Sequence, residues 1–252
     1  MSDYITLQTL DQVTTLTINR AQKRNAITQE MYGAMADALK AYEASDTQRA
    51  FVITGAEDYF TAGNDLQDFS MADHTGDLPP VARFLDAIST CKKPVIAAVN
   101  GPAIGVGLTM LLHCDLVYAA ESATFTAPFV KLGLVPEAGS SLLLSASVGM
   151  AVANDILLAG RTLQASEAHN YGLISRVFPD TELQAEVATI GKHIASSAPE
   201  ALKLSKSLIR HQRDKVAAQM QSEAELFVAQ LKSSEFSEVV TAMMQKRQPS
   251  FS

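Results

Sequence analysis

The chain reads as an α/β protein whose later part is helical, and three observations predict this. Short apolar strands alternate with helical segments between residues 1 and 120, the pattern of a largely parallel sheet with helical crossovers. Beyond residue 138 the strand signal nearly vanishes, apart from residues 173–178, and amphipathic helices follow one another. Finally, 252 residues with 47% hydrophobic and 19% charged side chains suffice to bury a core without disulfides or a structural metal. The expected division is a core over residues 1–190 and a helical, oligomer-forming region over 191–252.

The elements follow in order. Residues 4–7 and 13–18 alternate with period two around Asp11-Gln12, which predicts a hairpin. Thr28 is placed to cap a helix that carries Met31, Met35, Leu39 and Tyr42 on one face. Residues 49–54 form a short apolar strand closing at Gly55, and residues 93–100 and 116–120 read as two more strands. Between those two, residues 105–113 read as a helix. Residues 70–80, rich in Asp, His, Gly and Pro, read as a mobile loop. Four helices are expected at 181–196, 199–211, 214–232 and 235–246. Their apolar faces fit packing on another subunit or on the chain's own core.

Composition excludes several classes. Twenty Lys and Arg stand against 27 Asp and Glu, a net charge of −7, so a uniformly basic nucleic-acid binder is not expected. No run approaches 18 apolar residues, which argues against a membrane span. The first residues enter a strand with no basic apolar leader and the last match no address signal, so a cytoplasmic location is expected. Cys91 and Cys114 read as reduced buried thiols, and the five histidines show no ligand spacing, so no metal is expected. Gly105-Val-Gly107 opens like a dinucleotide fingerprint, but Met110 stands where its third glycine belongs. Phosphate-loop and nucleophile-elbow motifs are absent from the sequence.

Two glycine-containing turns remain, each following an apolar strand: Phe60-Thr-Ala-Gly-Asn-Asp-Leu66 and Asn100-Gly-Pro-Ala-Ile-Gly-Val-Gly107. Each can present a backbone N–H without a partner in its own element, and two such donors converging on one point form an oxyanion hole. Taken singly, either is an ordinary turn. In this order and spacing they resemble the crotonase (enoyl-CoA hydratase/isomerase) superfamily. Asn19-Arg20, Arg24-Asn-Ala-Ile27, Cys114-Asp115, Leu132-Gly-Leu-Val-Pro136, Leu158-Ala-Gly-Arg-Thr162 and Pro199-Glu-Ala-Leu-Lys203 extend the resemblance over nearly the whole chain.

The resemblance implies a spiral of ββα units with a helical C-terminal region, an acyl-CoA thioester substrate, homotrimers or homohexamers, and no cofactor beyond the coenzyme A carried by the substrate. It implies the N–H groups of Ala62 and Val106 as donors to the thioester oxygen, Val106 standing where glycine is usual. It also implies Gly63, Asn64, Asp65 and Leu66 as substrate-binding residues, Asn64 and Asp65 by shaping the first turn rather than by exchanging protons. Lys23, Arg24 and Ala26 lie in the loop that meets the adenine end of coenzyme A, and Lys246 or Arg247 could reach a neighbour's ligand. Phe129 and Met110 are candidate acyl-pocket walls.

Which member the chain resembles follows from its acids. Hydratases of the family use two glutamates, and the corresponding positions here are Thr109 and Phe129, which cannot exchange protons near neutral pH. Glu137 stands where monofunctional Δ3,Δ2-enoyl-CoA isomerases carry a glutamate, and one carboxylate suffices to move a proton from C2 to C4. Its apolar surroundings are expected to raise its pKa. The alternative roles are a helix-initiating acid at Glu137, a hydratase or other acyl-CoA enzyme, and a non-catalytic acyl-CoA binding module.

Overall fold

A computed structural model describes residues 2–71 and 79–251. Most of the loop expected at 70–80 therefore lies outside the described residues. Strands β1 (Ile5–Leu10) and β2 (Val13–Ile18) form the expected antiparallel hairpin. Asp11 and Gln12 take φ values of 50 and 66, the left-handed pair that a two-residue turn between twisted strands requires. Helix α1 (Gln29–Ala44) starts where Thr28 accepts the Met31 N–H, and it buries Met31, Met35, Leu39 and Tyr42 as the spacing predicted, with Tyr32 beside them.

The rest of the chain runs β3 (Ala50–Gly55), α2 (Leu66–Met71), α3 (Pro80–Thr90), β4 (Val95–Val99), β5 (Ala103–Ile104), α4 (Val106–Thr109), β6 (Leu116–Ala120) and β7 (Thr124–Thr126). It continues with α5 (Ser140–Val148), α6 (Met150–Leu157), β8 (Leu163–Gln164), α7 (Ala165–Asn170) and β9 (Arg176–Phe178). The C-terminal helices are α8 (Leu183–Ser196), α9 (Pro199–Ile209), α10 (Arg213–Leu231) and α11 (Ser234–Met244). The expected helix at 105–113 is α4 followed by a tighter turn over Met110–His113.

Two sheets organise these elements. The larger has the order β1-β2-β3-β4-β6-β9, with every pair after the hairpin parallel, and the smaller has the order β5-β7-β8. Strands β4 and β6 are each followed by a short strand, β5 and β7, that pairs in the small sheet. The chain after β3 makes the same step, because Thr61 bridges Ala103 of β5. This repeated strand–strand–helix step is the ββα spiral. β3 and β4 are buried along their whole length, which explains their uninterrupted apolar sequence.

The two faces of the large sheet carry separate cores. Leu16, Ile18, Phe51, Ile53, Ala97 and Val99 pack with α1 and α3 in the main core. Val13, Val52, Ile96, Ala98 and Tyr118 pack on the other face against Leu183 and Val187 of α8. Residue 190 lies within α8, so that helix belongs with the sheet it covers. Helix α9 is tied down by Asp115, whose carboxylate meets Lys206 Nζ at 2.6 Å and Arg210 Nε at 3.1 Å. Cys91 and Cys114 are free and buried, and burial pushes the Cys114 thiol up to about 12. Among the described residues, no helix is long and apolar enough to cross a membrane, and no cluster of three metal-ligating side chains occurs.

Candidate active site

The first glycine turn is held by a lattice of hydrogen bonds from the loop after β2. Asn25 accepts the Arg20 N–H through Oδ1 at 2.9 Å and donates from Nδ2 to the carbonyls of Ala56 and Tyr59. Thr61 Oγ1 donates to the Asn25 carbonyl at 2.7 Å. Arg20 pairs with Asp65 at 2.7 Å and also donates to the Ala26 carbonyl at 3.0 Å. Asp65 accepts the N–H groups of Gln67 and Asp68 at the start of α2. Burial alone would raise the Asp65 pKa, but Arg20 and the backbone donors outweigh it and hold the carboxyl below its usual value.

This lattice corrects one expectation. The Ala62 N–H, implied as the first oxyanion donor, already donates to the Arg24 carbonyl at 2.9 Å. Two residues on, the Ile27 N–H donates to the Gly63 carbonyl at 2.8 Å and the Asp65 N–H to the Ile27 carbonyl at 2.9 Å. That parallel bridge centres on Asn64 and leaves the Asn64 N–H pointing away from Ile27. No acceptor meets it among the described residues.

The second turn packs directly on the first. Gly63 takes a φ of 89, and a β-carbon there would lie 2.8 Å from the Ile104 carbonyl oxygen. Gly107 lies so close to Thr61 that a β-carbon would stand 2.6 Å from its Cγ2. Gly105 takes a φ of 58 and spends its N–H on the Thr126 carbonyl. Val106 is then the first residue of α4, where helix geometry supplies no acceptor, and among the described residues its N–H has none.

Glu137 lies in a turn that other side chains pin from both sides. Ala138 has a φ of 60 and Gly139 of 71, so the chain reverses sharply just before α5. The buried His113 ring meets the Ala138 carbonyl through Nε2 at 2.7 Å, and a carbonyl only accepts, so Nε2 carries the proton. Burial pushes the His113 pKa down to about 4, leaving the ring neutral. On the other side Glu223 of α10 accepts the N–H groups of Gly139 and Ser141.

The Glu137 side chain is buried, 8% exposed, and accepts a hydrogen bond from the Thr109 hydroxyl. Burial pushes its pKa up to about 7, against the opposing hydrogen bond from Thr109 and with a further upward push from the Glu223 charge. Thr109 thus occupies a place from which a second carboxylate would touch Glu137. Tyr32 is fully buried and donates to Asn64 Oδ1, and burial together with the Glu137 charge raises its pKa. Sequence reasoning places Tyr32 only within a helix and misses Glu223. The clue to Glu223 is a charge interrupting the apolar stripe Val216, Met220 and Phe227.

Asn64 and Glu137 share the wall of one apolar cavity of about 320 Å³. Its other walls come from Val81 and Leu85 of α3 and from Met220 and Phe227 of α10. Phe129, expected there, is buried in the main core and is not on this wall. Lys23 and Arg24 are exposed on the turn before Asn25, the Arg24 guanidinium lying 5.6 Å from the Tyr59 ring centre. Leu66 opens α2, half-buried. Arg247 is paired with Glu238 of its own chain. A larger, open cleft of about 830 Å³ lies beside α8 and contains neither Asn64 nor Glu137.

A two-sheet spiral that presents two free backbone donors, with a buried carboxylate on the same cavity as Asn64, defines the class. Residues 8–252 match the enoyl-CoA hydratase/isomerase family, and the chain belongs to that family, with its crotonase fold. It is 51% identical to an enoyl-CoA hydratase/isomerase from Pseudoalteromonas atlantica T6c, whose crystal structure superposes with a TM-score of 0.97 over 99% of this chain and 100% of that one. It is 40% identical to enoyl-CoA delta isomerase 2 of Rattus norvegicus over 215 residues, 82% of this chain and 54% of that protein. The chain thus spans about half the length of that relative. Similarity to the 1,2-epoxyphenylacetyl-CoA isomerase of Escherichia coli (strain K12) is 36%, over 100% of this chain and 99% of the relative.

Proposed function

We propose that the protein is a Δ3,Δ2-enoyl-CoA isomerase that uses Glu137 as its single proton carrier. The observation that carries this reading is the pairing of Glu137 with Thr109: one buried carboxylate faces the cavity, and a hydroxyl rather than a second acid stands beside it. In the proposed reaction the thioester oxygen lies between the N–H groups of Asn64 and Val106. Glu137 removes a proton from C2, the C3–C4 double-bond electrons and the carbonyl share the resulting negative charge, and Glu137 returns the proton to C4. The double bond then lies between C2 and C3. Each backbone donor is worth about 3 kcal/mol to the enolate by comparison with acyl-transfer sites. A carboxyl with a pKa near 7 is matched to taking and returning a proton at neutral pH.

Only a proton moves, so the scheme consumes neither water nor a redox cofactor. The apolar cavity suits the acyl chain of a 3-enoyl-CoA, and Lys23 and Arg24 are proposed to meet the coenzyme A phosphates. Assembly into trimers or hexamers is proposed through the C-terminal helices, where Leu204, Leu208 and Ile209 are exposed on α9.

The test offers a 3-enoyl-CoA and a 2-trans-enoyl-CoA separately to the wild type and to Glu137→Gln. The expected result is fast isomerisation, slow hydration, and a loss of isomerisation of about a thousandfold or more in the variant. Fast hydration that survives the substitution would overturn the reading. The full-length match to an epoxyphenylacetyl-CoA isomerase favours a second reading, isomerisation of a different acyl-CoA, which activity on neither substrate would support.

A further inference from the structure

We infer that Glu223, on α10, is a positioning residue that aims Glu137 at the cavity and keeps a negative charge behind it. The inference rests on the reading of Glu137 as the proton carrier. Glu223 is 4% exposed and accepts three hydrogen bonds: from the Gly139 N–H at 2.5 Å, the Ser141 N–H at 3.0 Å and the Ser141 hydroxyl. Gln219, one turn earlier on α10, donates in turn to that hydroxyl at 2.9 Å. Among the described residues no cation pairs with Glu223. Its charge is met instead by the free N–H groups at the start of α5, which is where a carboxylate is held most firmly without a counter-ion.

An ordinary helix cap comes from the residue just before the helix. Here Gly139 stands at that position and offers no side chain, and the cap arrives from a helix more than 80 residues later. The segment it grips begins at Gly139, the second of the two left-handed residues, Ala138 and Gly139, that follow Glu137 directly. His113 grips the same turn from below through the Ala138 carbonyl. Glu223 does not hold α10 on the core alone, because Phe227 and Leu231 of the same helix already pack there. A hydrophobic residue at 223 would have continued that stripe.

The groups facing Glu137 are few. Thr109 on α4 donates to it, Tyr32 on α1 lies close enough to feel its charge, His113 is neutral, and Glu223 is the second carboxylate nearby. Like charge behind Glu137 disfavours its ionised form. Removing the Glu223 charge therefore makes Glu137 more acidic, while removing its hydrogen bonds loosens the turn. The two effects are separable, because Glu223→Gln removes charge and weakens the clamp whereas Glu223→Asp keeps the charge and shortens the reach.

The experiment measures kcat and KM for the 3-enoyl-CoA across pH for the wild type, Glu137→Gln, Glu223→Gln and Glu223→Asp, with circular dichroism as the check on folding. Glu223→Gln is expected to lower kcat by about tenfold or more with KM within about twofold, the scale of a misplaced reacting group. Its acid limb of kcat should move to lower pH. Glu223→Asp should lower kcat with the limb unmoved, and it carries the test if Glu223→Gln fails to fold. An inactive Glu137→Gln alongside Glu223 variants with wild-type kcat and pH profile would overturn the positioning role while sparing Glu137. An active Glu137→Gln would overturn both, and the two failures are told apart by that variant alone.

Discussion

Glu137→Gln is expected to stabilise the fold in a pH-dependent way, even as it abolishes turnover. The wild-type carboxyl ionises near 4.5 in the unfolded chain and near 7 when folded, because burial penalises the charge. Between those values the folded protein holds a proton that the unfolded chain has released. Stability therefore falls as pH rises through the window, and the cost is fully present above pH 7. At 1.36 kcal/mol per pH unit the gap comes to about 3 kcal/mol at pH 8 and to under about 1 kcal/mol at pH 5. A glutamine of the same shape still accepts from Thr109 and carries no charge to bury. For a chain of this size the variant should unfold about 6 °C or more above the wild type at pH 8, with little difference at pH 5. Thermal melts at the two pH values, followed by circular dichroism, read this directly and need no substrate. Equal shifts at both pH values, or a variant less stable at pH 8, would refute a raised Glu137 pKa.

Two further outcomes follow, one from the partner of Glu137 and one from the ion pairs that tie down α9. Thr109→Val removes the hydrogen bond that favours ionised Glu137, so the acid limb of kcat should move to higher pH by about one unit; a limb that stays in place would show that the hydroxyl does not face the carboxylate during turnover. Asp115→Ala leaves Lys206 and Arg210 without their anion and the Val95 N–H without its acceptor, a loss on the order of 3 kcal/mol. Urea unfolding should show the midpoint falling accordingly, and an unchanged midpoint would mean that α9 is held by other contacts.

Much of this architecture is legible in the sequence where periodicity is strong. The hairpin, α1 and the four C-terminal helices each carry a full repeat of their own period, and each lies within about three residues of its expected ends. Strands β5, β7 and β8 escape notice because two or three residues cannot display a period. Helix α5 is expected only through its start just after Glu137, and α6 escapes because its many apolar residues blur the amphipathic pattern. Within the site, Glu137 stands out as a lone acid in an apolar run, and the two turns stand out through their glycines. The identity of the first backbone donor does not, because it depends on which N–H groups the loop after β2 consumes. Arg24 takes the Ala62 N–H and Ile27 takes that of Asp65, leaving the one at Asn64, and that outcome belongs to three-dimensional pairing.

The division of labour in the candidate site cuts across the division of the chain. The spiral core contributes backbone donors and the carboxylate, held on turns whose glycines let two chain segments approach within contact distance. The apolar walls come from α3 and from α10, and α10 also brings Glu223 to the turn that bears Glu137. One helix therefore touches both the space for an acyl chain, through Met220 and Phe227, and the support of the proposed proton carrier, through Glu223 between them. A change in how α10 sits must alter the cavity and the carboxylate together. In the proposed isomerisation, that linkage would keep Glu137 in register with the carbons between which it moves a proton. It also makes α10 part of the candidate site rather than an appendix to a finished core.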